Sequence, residues 1–421
     1  MILFVCCKSV PTETVSVPID TQNNPDCEKT AGKTAVTENT TVIETQKINS
    51  DNLPSSLPVT LPTSLADELE LTFCGDIMAH TVNYSMTNYD RIYDDIRPLL
   101  INDDITFGNF ETPVDDNLPM SAYPRFNVHM TYLESAIRGG FDALSLANNH
   151  SNDQGLDGIK ATVLVTQSMK DTASFSGLRN NETDAMVPQI IRRKGWTILF
   201  LSVTEILNSY DKAGKLVYYV SPKHKEREAF LQEIRKFRKE NPCDLFVLSI
   251  HLNETEYGRV VSEEKKEWFK QLCEAGVDVV WGHHPHVMQG WEQATVTGRP
   301  VLYLYSMGNF ISGQRKTPDI SAPDAFREYT GDGVIMKVRL VRVANDSTDS
   351  VNAGKIVMHV VPVPVTNYTD PDGDVLVKLF SRSFIDGLSP ILHNYYLKRY
   401  SLMYAYLPLL PVEPVTGILE K

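Results

Sequence analysis

The stretch Trp281-Gly282-His283-His284-Pro285-His286-Val287 sets the reading of this chain. It holds three histidines within four positions, in a sequence that has only 10. The apolar run Val277-Asp278-Val279-Val280-Trp281 leads directly into it. A short apolar run ending in glycine predicts a buried strand that opens into a loop. Imidazoles held at such a rigid strand end suit a metal or an anion. In extended backbone His284 and His286 project to one side and His283 to the other. The alternative is a set of histidines satisfied by backbone carbonyls.

The same pattern recurs outward from this stretch. Leu69-Glu70-Leu71-Thr72-Phe73-Cys74-Gly75-Asp76 alternates like a strand and closes on Gly-Asp. Asp104–Phe110 is followed by Glu111 and contains Asn109. Asp142–Ala147 runs into Asn148-Asn149-His150, with Asp153 and Gly155 just beyond. Leu245–Ile250 ends on His251, and Val301–Phe310 ends without a strong ligand. Strands that repeatedly close on Asp, Asn, Glu or His predict a ligand crevice at their carboxyl ends. The mixture of oxygen and nitrogen donors fits hard and borderline divalent metals.

Taken in order, these segments resemble the CapA family, the poly-γ-glutamate capsule biosynthesis proteins, whose domain is similar to a calcineurin-type metallophosphoesterase. The resemblance rests on Gly75-Asp76-Ile77-Met78, Gly108-Asn109-Phe110-Glu111, Asn149-His150 with Asp153 and Gly155, and His251. It also rests on Gly282-His283-His284-Pro285-His286-Val287 with Gln289, and on Ser306 with Gly308-Asn309-Phe310. The motifs extend from about residue 69 to 313, over half of the chain. Alternating strands and helices predict an α/β class. The resemblance narrows this to a two-sheet sandwich flanked by helices, which periodicity alone does not separate from a doubly wound sheet.

The resemblance also implies site roles. Asp76 is a metal-binding carboxylate, or else a loop residue that caps a helix. Asn109 and Glu111 are candidate ligands that the motif does not separate. Asn149 matches the Asn of the phosphoesterase Asn-His signature. His150, beside it, is then a general acid, because a near-neutral pKa suits proton delivery to a leaving group. Asp153 either orients His150 or caps the following helix. His251, His284 and His286 complete the metal shell, and His283 is structural or supports a ligand. Two divalent ions are implied, drawn from Mn, Fe, Zn or Mg; such pairs lie about 3.5–4 Å apart. Arg125 and Arg259 are candidates for binding an anionic substrate, with ordinary surface charge as the alternative. Two stretches depart from the family pattern: Ala79-His80-Thr81, where an Arg is common, and Leu252-Asn253, where Trp-Gly is usual.

Composition bounds the partners. The chain has 421 residues, 42% of them hydrophobic, and a net charge of −13. That charge argues against nucleic acid as a partner. No apolar run approaches the roughly 18 residues that span a bilayer. Cys6, Cys7, Cys27, Cys74, Cys243 and Cys273 form no Cys-x-x-Cys pair, and the last three read as buried free thiols. Residues 1–8 end an apolar run at Cys6-Cys7, similar to a shortened lipoprotein signal; the run is otherwise incidental. Residues 9–66 are rich in Thr, Ser, Pro and Asn, a flexible spacer. A lipid on Cys6 or Cys7 would then be the only membrane contact, placing the protein outside the cytoplasm in a bacterial cell envelope.

The organisation expected is a domain over 67–365 and a helical extension over 366–421. Phe230, Leu231, Ile234 and Phe237 share one face of a helix within Lys223–Lys239. Ser262 is the N-cap of the next helix, with Glu263 and Glu264 in its first turn. Two functions follow from the resemblance. One is a metal-dependent phosphoesterase-type enzyme acting in synthesis, export or attachment of an anionic extracellular polymer, on that polymer or a phosphorylated substrate. The other is a non-catalytic subunit of a membrane polymer-synthase complex.

Overall fold

A computed structural model describes residues 67–343 and 354–406. The readings for residues 1–8 and 9–66 lie outside the described residues. In chain order the strands are β1 (Glu68–Ile77), β2 (Ile105–Phe110), β3 (Ala143–Ser145), β4 (Ser174–Ser176), β5 (Gln189–Arg193), β6 (Trp196–Thr204) and β7 (Leu245–His251). They continue with β8 (Val279–His283), β9 (Trp291–Val296), β10 (Arg299–Leu304), β11 (Asn309–Ile311), β12 (Asp332–Arg342), β13 (Ile356–Thr369) and β14 (Val375–Leu379). The helices are α1 (Thr81–Tyr84), α2 (Arg97–Ile101), α3 (Met130–Gly139), α4 (Gly155–Ser168), α5 (His224–Glu240), α6 (Glu263–Ala275), α7 (Arg382–Asp386) and α8 (Pro390–Tyr406).

Two sheets form. One has the order β14-β13-β12-β1-β2-β3-β4, with β11 also paired to β1; the other runs β5-β6-β7-β8-β10-β9. β1 to β4 are parallel to one another, as are β6, β7, β8 and β10. Leu69, Leu71 and Phe73 alternate along β1 and meet Phe200, Val247 and Trp281 of the second sheet in one core. This alternation is the period-two signal expected of a strand with one face against a partner sheet. Phe73 stacks on Phe107 at 4.8 Å, and Trp281 meets Phe73 edge-on at 5.8 Å. The Trp281 indole also donates to the carbonyl of Cys74 at 3.1 Å, tying β8 to β1 across the layers. Burying each such aromatic contributes roughly 1.5–3 kcal/mol. The fold is the two-sheet sandwich flanked by helices that the resemblance implies.

α5 and α6 cover the outer face of the second sheet through Phe230, Leu231, Ile234, Phe237, Trp268 and Phe269. Ser262 caps α6, accepting from the Lys265 amide. Cys74 and Cys273 are buried, and Cys243 is half-buried, less enclosed than the sequence implies. The boundary at 365 falls inside β13, which pairs with β12 without a break from Ile356 to Thr366. β14 then extends the same sheet, and Tyr395, Tyr396, Tyr400 and Met403 of α8 join the inter-sheet core. Residues beyond 365 are therefore strand as well as helix, continuous with the domain. Arg315 and Arg399, both buried, clamp Asp332 from opposite sides and bind that region to β12.

Candidate metal centre and adjoining cleft

Each donor sits where a parallel strand ends. β1 carries Asp76, β2 leads to Glu111, β7 ends on His251, and β8 ends on His283. A register irregularity between Phe73 and Asp76 places Asp76 opposite Asn109. Gly75 is required just before it, since a Cβ there would lie 1.8 Å from the carbonyl oxygen of Gly308. The Asp76 amide donates to that same oxygen at 3.1 Å.

Six of the expected residues converge. Asp76, Asn109, Glu111, His251, His284 and His286 are all buried. Ligand atoms of Asp76, Glu111 and His286 all lie within 4.8 Å of one another, a group able to hold a metal ion. Glu111 Oε1 is 3.7 Å from His251 Nε2 and 3.8 Å from His286 Nε2. His251 Nε2 is also 3.1 Å from His284 Nδ1.

The histidine loop does not use extended backbone. His284 and His286 have φ of 102° and 57°, in the left-handed region, so turn geometry rather than strand alternation brings both rings to the site. His283 does not point away. Its Nδ1 donates to Asp76 Oδ1 at 3.1 Å and so orients the carboxylate. His286 Nδ1 faces two acceptors, Asp76 Oδ2 at 3.2 Å and Asn309 Oδ1 at 3.1 Å. It therefore carries the proton, which leaves Nε2 toward Glu111. Asn309 is held in that orientation because its amide nitrogen donates to Ser312, Gln314 and the Thr330 carbonyl.

The electrostatics divide the cluster. Burial pushes Asp76 up, but the hydrogen bonds from His283 and His286 outweigh it and hold the carboxyl well below its usual range. Burial raises Glu111 well above its usual value, against the opposing pull of His286. Burial acts downward on His286, yet Glu111 and Asp76 carry it up to about 9. Burial depresses His284 to about 3 and His251 well below its normal value. At neutral pH, without a metal, His286 therefore keeps a proton between two carboxyl groups, while His251 and His284 are neutral.

Several buried atoms have no hydrogen-bond partner: Glu111 Oε1, Asn149 Oδ1 and Asn109 Oδ1. Buried polar groups are normally paired, so this concentration of orphans fits a bound cation. As placed, Asn109 turns its amide nitrogen to Asp76 Oδ1 at 2.8 Å and to Glu111 Oε2 at 3.2 Å. It supports the two carboxylates, whereas its oxygen is one of the orphans.

Beside the cluster lies a cleft of about 580 Å³ lined by Arg125, Asn149, His150, Asp153, Asn208 and Glu256, among others. His150 Nδ1 is 2.7 Å from Asp153 Oδ2. The same carboxylate oxygen accepts from the Phe126 amide at 2.8 Å. Asp153 thus contacts His150 directly. Arg125 Nε donates to the Asp153 carbonyl at 2.6 Å. Arg259 is placed differently: its guanidinium stacks on Tyr329 at 3.9 Å, and it is not among the cleft's lining residues. His80, which stands where an Arg is common, accepts from the Gly313 amide at 3.1 Å and meets Phe126 edge-on. Sequence reasoning missed Asn208 and the contact of Asn309 with His286. Asn309 lies inside a quoted motif, whereas the loop bearing Asn208 has no pattern of its own.

The family described as bacterial capsule synthesis protein PGA_cap matches residues 70–314, more than half of the chain. This chain belongs to that family. The PGA_cap match contains every site residue from Asp76 to Asn309. Two relatives align with this chain. One is the capsule biosynthesis protein CapA of Bacillus anthracis, 29% identical over 261 residues, covering 59% of this chain and 61% of the relative. The other is the PGA biosynthesis protein CapA of Bacillus subtilis strain 168, 27% identical over 256 residues, covering 59% and 64%. The chain thus spans less than two thirds of the length of these relatives. Among solved structures, a hypothetical protein of Thermus thermophilus aligns with a TM-score of 0.41 and 15% identity, covering 70% of this chain and 98% of that one. That likeness is too weak to assign a function.

Proposed function

We propose that this PGA_cap protein is a metal-dependent phosphoesterase-type enzyme that acts in synthesis, export or attachment of an anionic extracellular polymer. The observation that carries the reading is Glu111 Oε1, buried, unpartnered, and 3.7–3.8 Å from the Nε2 atoms of both His251 and His286. Asp76, Glu111 and His286 would hold one divalent cation, and His251, His284 and Asn149 would supply donors for a second. Divalent ions bound there would supply positive charge for the phosphoryl group and a nucleophile at neutral pH. The ion identity falls among Mn, Fe, Zn and Mg.

The chain's own residues do the rest. Asp153 accepts the Nδ1 proton of His150 and so fixes its tautomer. Nε2 is then the nitrogen that exchanges a proton with the leaving oxygen. The edge-on ring of Phe126, 4.6 Å from the His150 ring, limits its rotation. Arg125, at the cleft wall, adds positive charge for an anionic substrate. Arg259 stacks on Tyr329 outside the cleft's lining, so the anion-binding role rests on Arg125.

The capsule role is supported by family membership and by the names of the two CapA relatives. An envelope location fits that role, with a lipid on Cys6 or Cys7 as the tether and a membrane polymer-synthase complex as a partner. No helix among the described residues is long and apolar enough to cross a membrane. The test is hydrolysis of bis(p-nitrophenyl) phosphate by the purified chain, with and without added Mn2+ or Zn2+. Metal-dependent release of nitrophenolate supports the reading. Bound metal with no turnover on phosphodiesters or phosphomonoesters would favour a non-catalytic subunit that retains the fold.

A further inference from the structure

Asn208 lies in the loop after β6, exposed at the mouth of the cleft, where the core does not need its side chain. Yet both ends of its amide are engaged with residues of the proposed site. Oδ1 accepts from Asn149 Nδ2 at 3.3 Å. Nδ2 lies 3.4 Å from Asp153 Oδ1 and 3.0 Å from His150 Nδ1. His150 Nδ1 must carry its proton to donate to Asp153, so it cannot also accept. The acceptor for Asn208 Nδ2 is therefore Asp153 Oδ1. The backbone fixes the approach, because the Asn208 amide donates to the Asn149 carbonyl at 3.0 Å.

We infer that Asn208 is a positioning residue that sets which end of the Asn149 amide faces the metal. An Asn side chain can turn either its oxygen or its NH2 to a neighbour, and only the oxygen can bind a cation. With Nδ2 engaged by Asn208, the end left over is Oδ1, which is buried and unpartnered. The other arm of Asn208, on Asp153, steadies the carboxylate that holds His150. One exposed side chain thus orients a ligand and the partner of the proposed acid. Partners behind metal ligands commonly change affinity by about 10–100-fold when removed.

The inference rests on the metal reading above, and its test separates the two. Mn2+ is titrated calorimetrically into the full chain, into Asn208→Ala, into Asn149→Ala and into the double variant. Asn208→Ala is expected to bind Mn2+ about 10–100-fold more weakly than the parent. Because it acts through Asn149, the double variant should bind no more weakly than Asn149→Ala alone. Unchanged affinity in Asn208→Ala, or losses that multiply in the double variant, would overturn the positioning role while leaving the metal site standing. A parent that binds no Mn2+ would overturn both. If Asn208→Ala does not fold, judged by its melting curve, Asn208→Ser takes its place in the same cycle, because its hydroxyl is too short to make both contacts.

Discussion

His150 Nδ1 lies 2.7 Å from Asp153 Oδ2, both side chains are buried, and the pair forms one wall of the cleft beside the carboxylate–histidine cluster. A proton donor held this way loses rate, not metal, when it is removed. His150→Ala is expected to lower hydrolysis by about 10²–10⁴, the usual range for general acid help. The loss should be larger for an alkyl phosphoester than for a nitrophenyl ester, whose leaving group needs little protonation. Steady-state rates on both substrates, with metal content measured alongside, check this. Loss of metal in the variant would make His150 a ligand instead.

The C-terminal strands and helix predict where the chain can be cut. A fragment of residues 67–365 ends inside β13 and lacks Tyr395, Tyr396, Tyr400 and Met403, all nearly fully buried in the inter-sheet core. Each lost side chain forgoes roughly 1.5–3 kcal/mol of burial. That sum is comparable to the whole stability of a typical domain, about 5–15 kcal/mol. The fragment 67–365 should be insoluble or melt without cooperativity, whereas 67–406 should give a single transition. Thermal unfolding followed by circular dichroism tests both.

His286 links metal binding to pH. In the metal-free protein, carboxylate neighbours raise it to about 9 from 6.5. A raised histidine adds stability that is complete below pH 6.5 and is lost as pH rises through about 9. A metal must displace that proton, so the two effects have opposite signs. The metal-free melting temperature should fall between pH 6.5 and 9 while Mn2+ affinity rises over the same range. Titration calorimetry in buffers of different ionisation heat should detect proton release at pH 7. Affinity independent of pH would remove His286 from the ligand set.

Far from the site, Asp142 is raised to about 6 from 3.8, chiefly by burial, against the hydrogen bond from the Thr106 amide. A carboxyl group raised on folding contributes most below its unfolded pKa, and that contribution is lost as pH rises through the folded value. Asp142→Asn keeps an acceptor for Thr106 and cannot ionise. The variant should gain melting temperature relative to the parent as pH rises from about 4 to 6.5, and hold that gain above it. A difference that is flat with pH would contradict the assignment.

Much of this was legible in the sequence because strand ends carry local signals. Asp76, Glu111, His251 and the His284/His286 pair each follow an apolar run, and each lies at the carboxyl end of a parallel strand. The helix of Phe230, Leu231, Ile234 and Phe237 and the Ser262 cap were readable from spacing alone. What was not legible depends on contacts between distant segments. That His284 and His286 join His283 on the Asp76 side follows from left-handed backbone at both, which non-glycine residues seldom signal. The donor role of Asn109 depends on two carboxylates meeting it from either side. β14 and the last residues of β13 fall within 366–421, where the aromatic-rich helical pattern of α8 dominated the reading. Arg259 could not be separated from Arg125 until its stacking on Tyr329 was visible.

The most direct test of the account is the metal content of the full chain beside His284→Ala/His286→Ala, by elemental analysis after purification without chelators. About two divalent ions per parent chain are expected, falling toward none in the double variant with the fold retained by circular dichroism. Equal metal in both proteins, or none in the parent after Mn2+ or Zn2+ reconstitution, would contradict it.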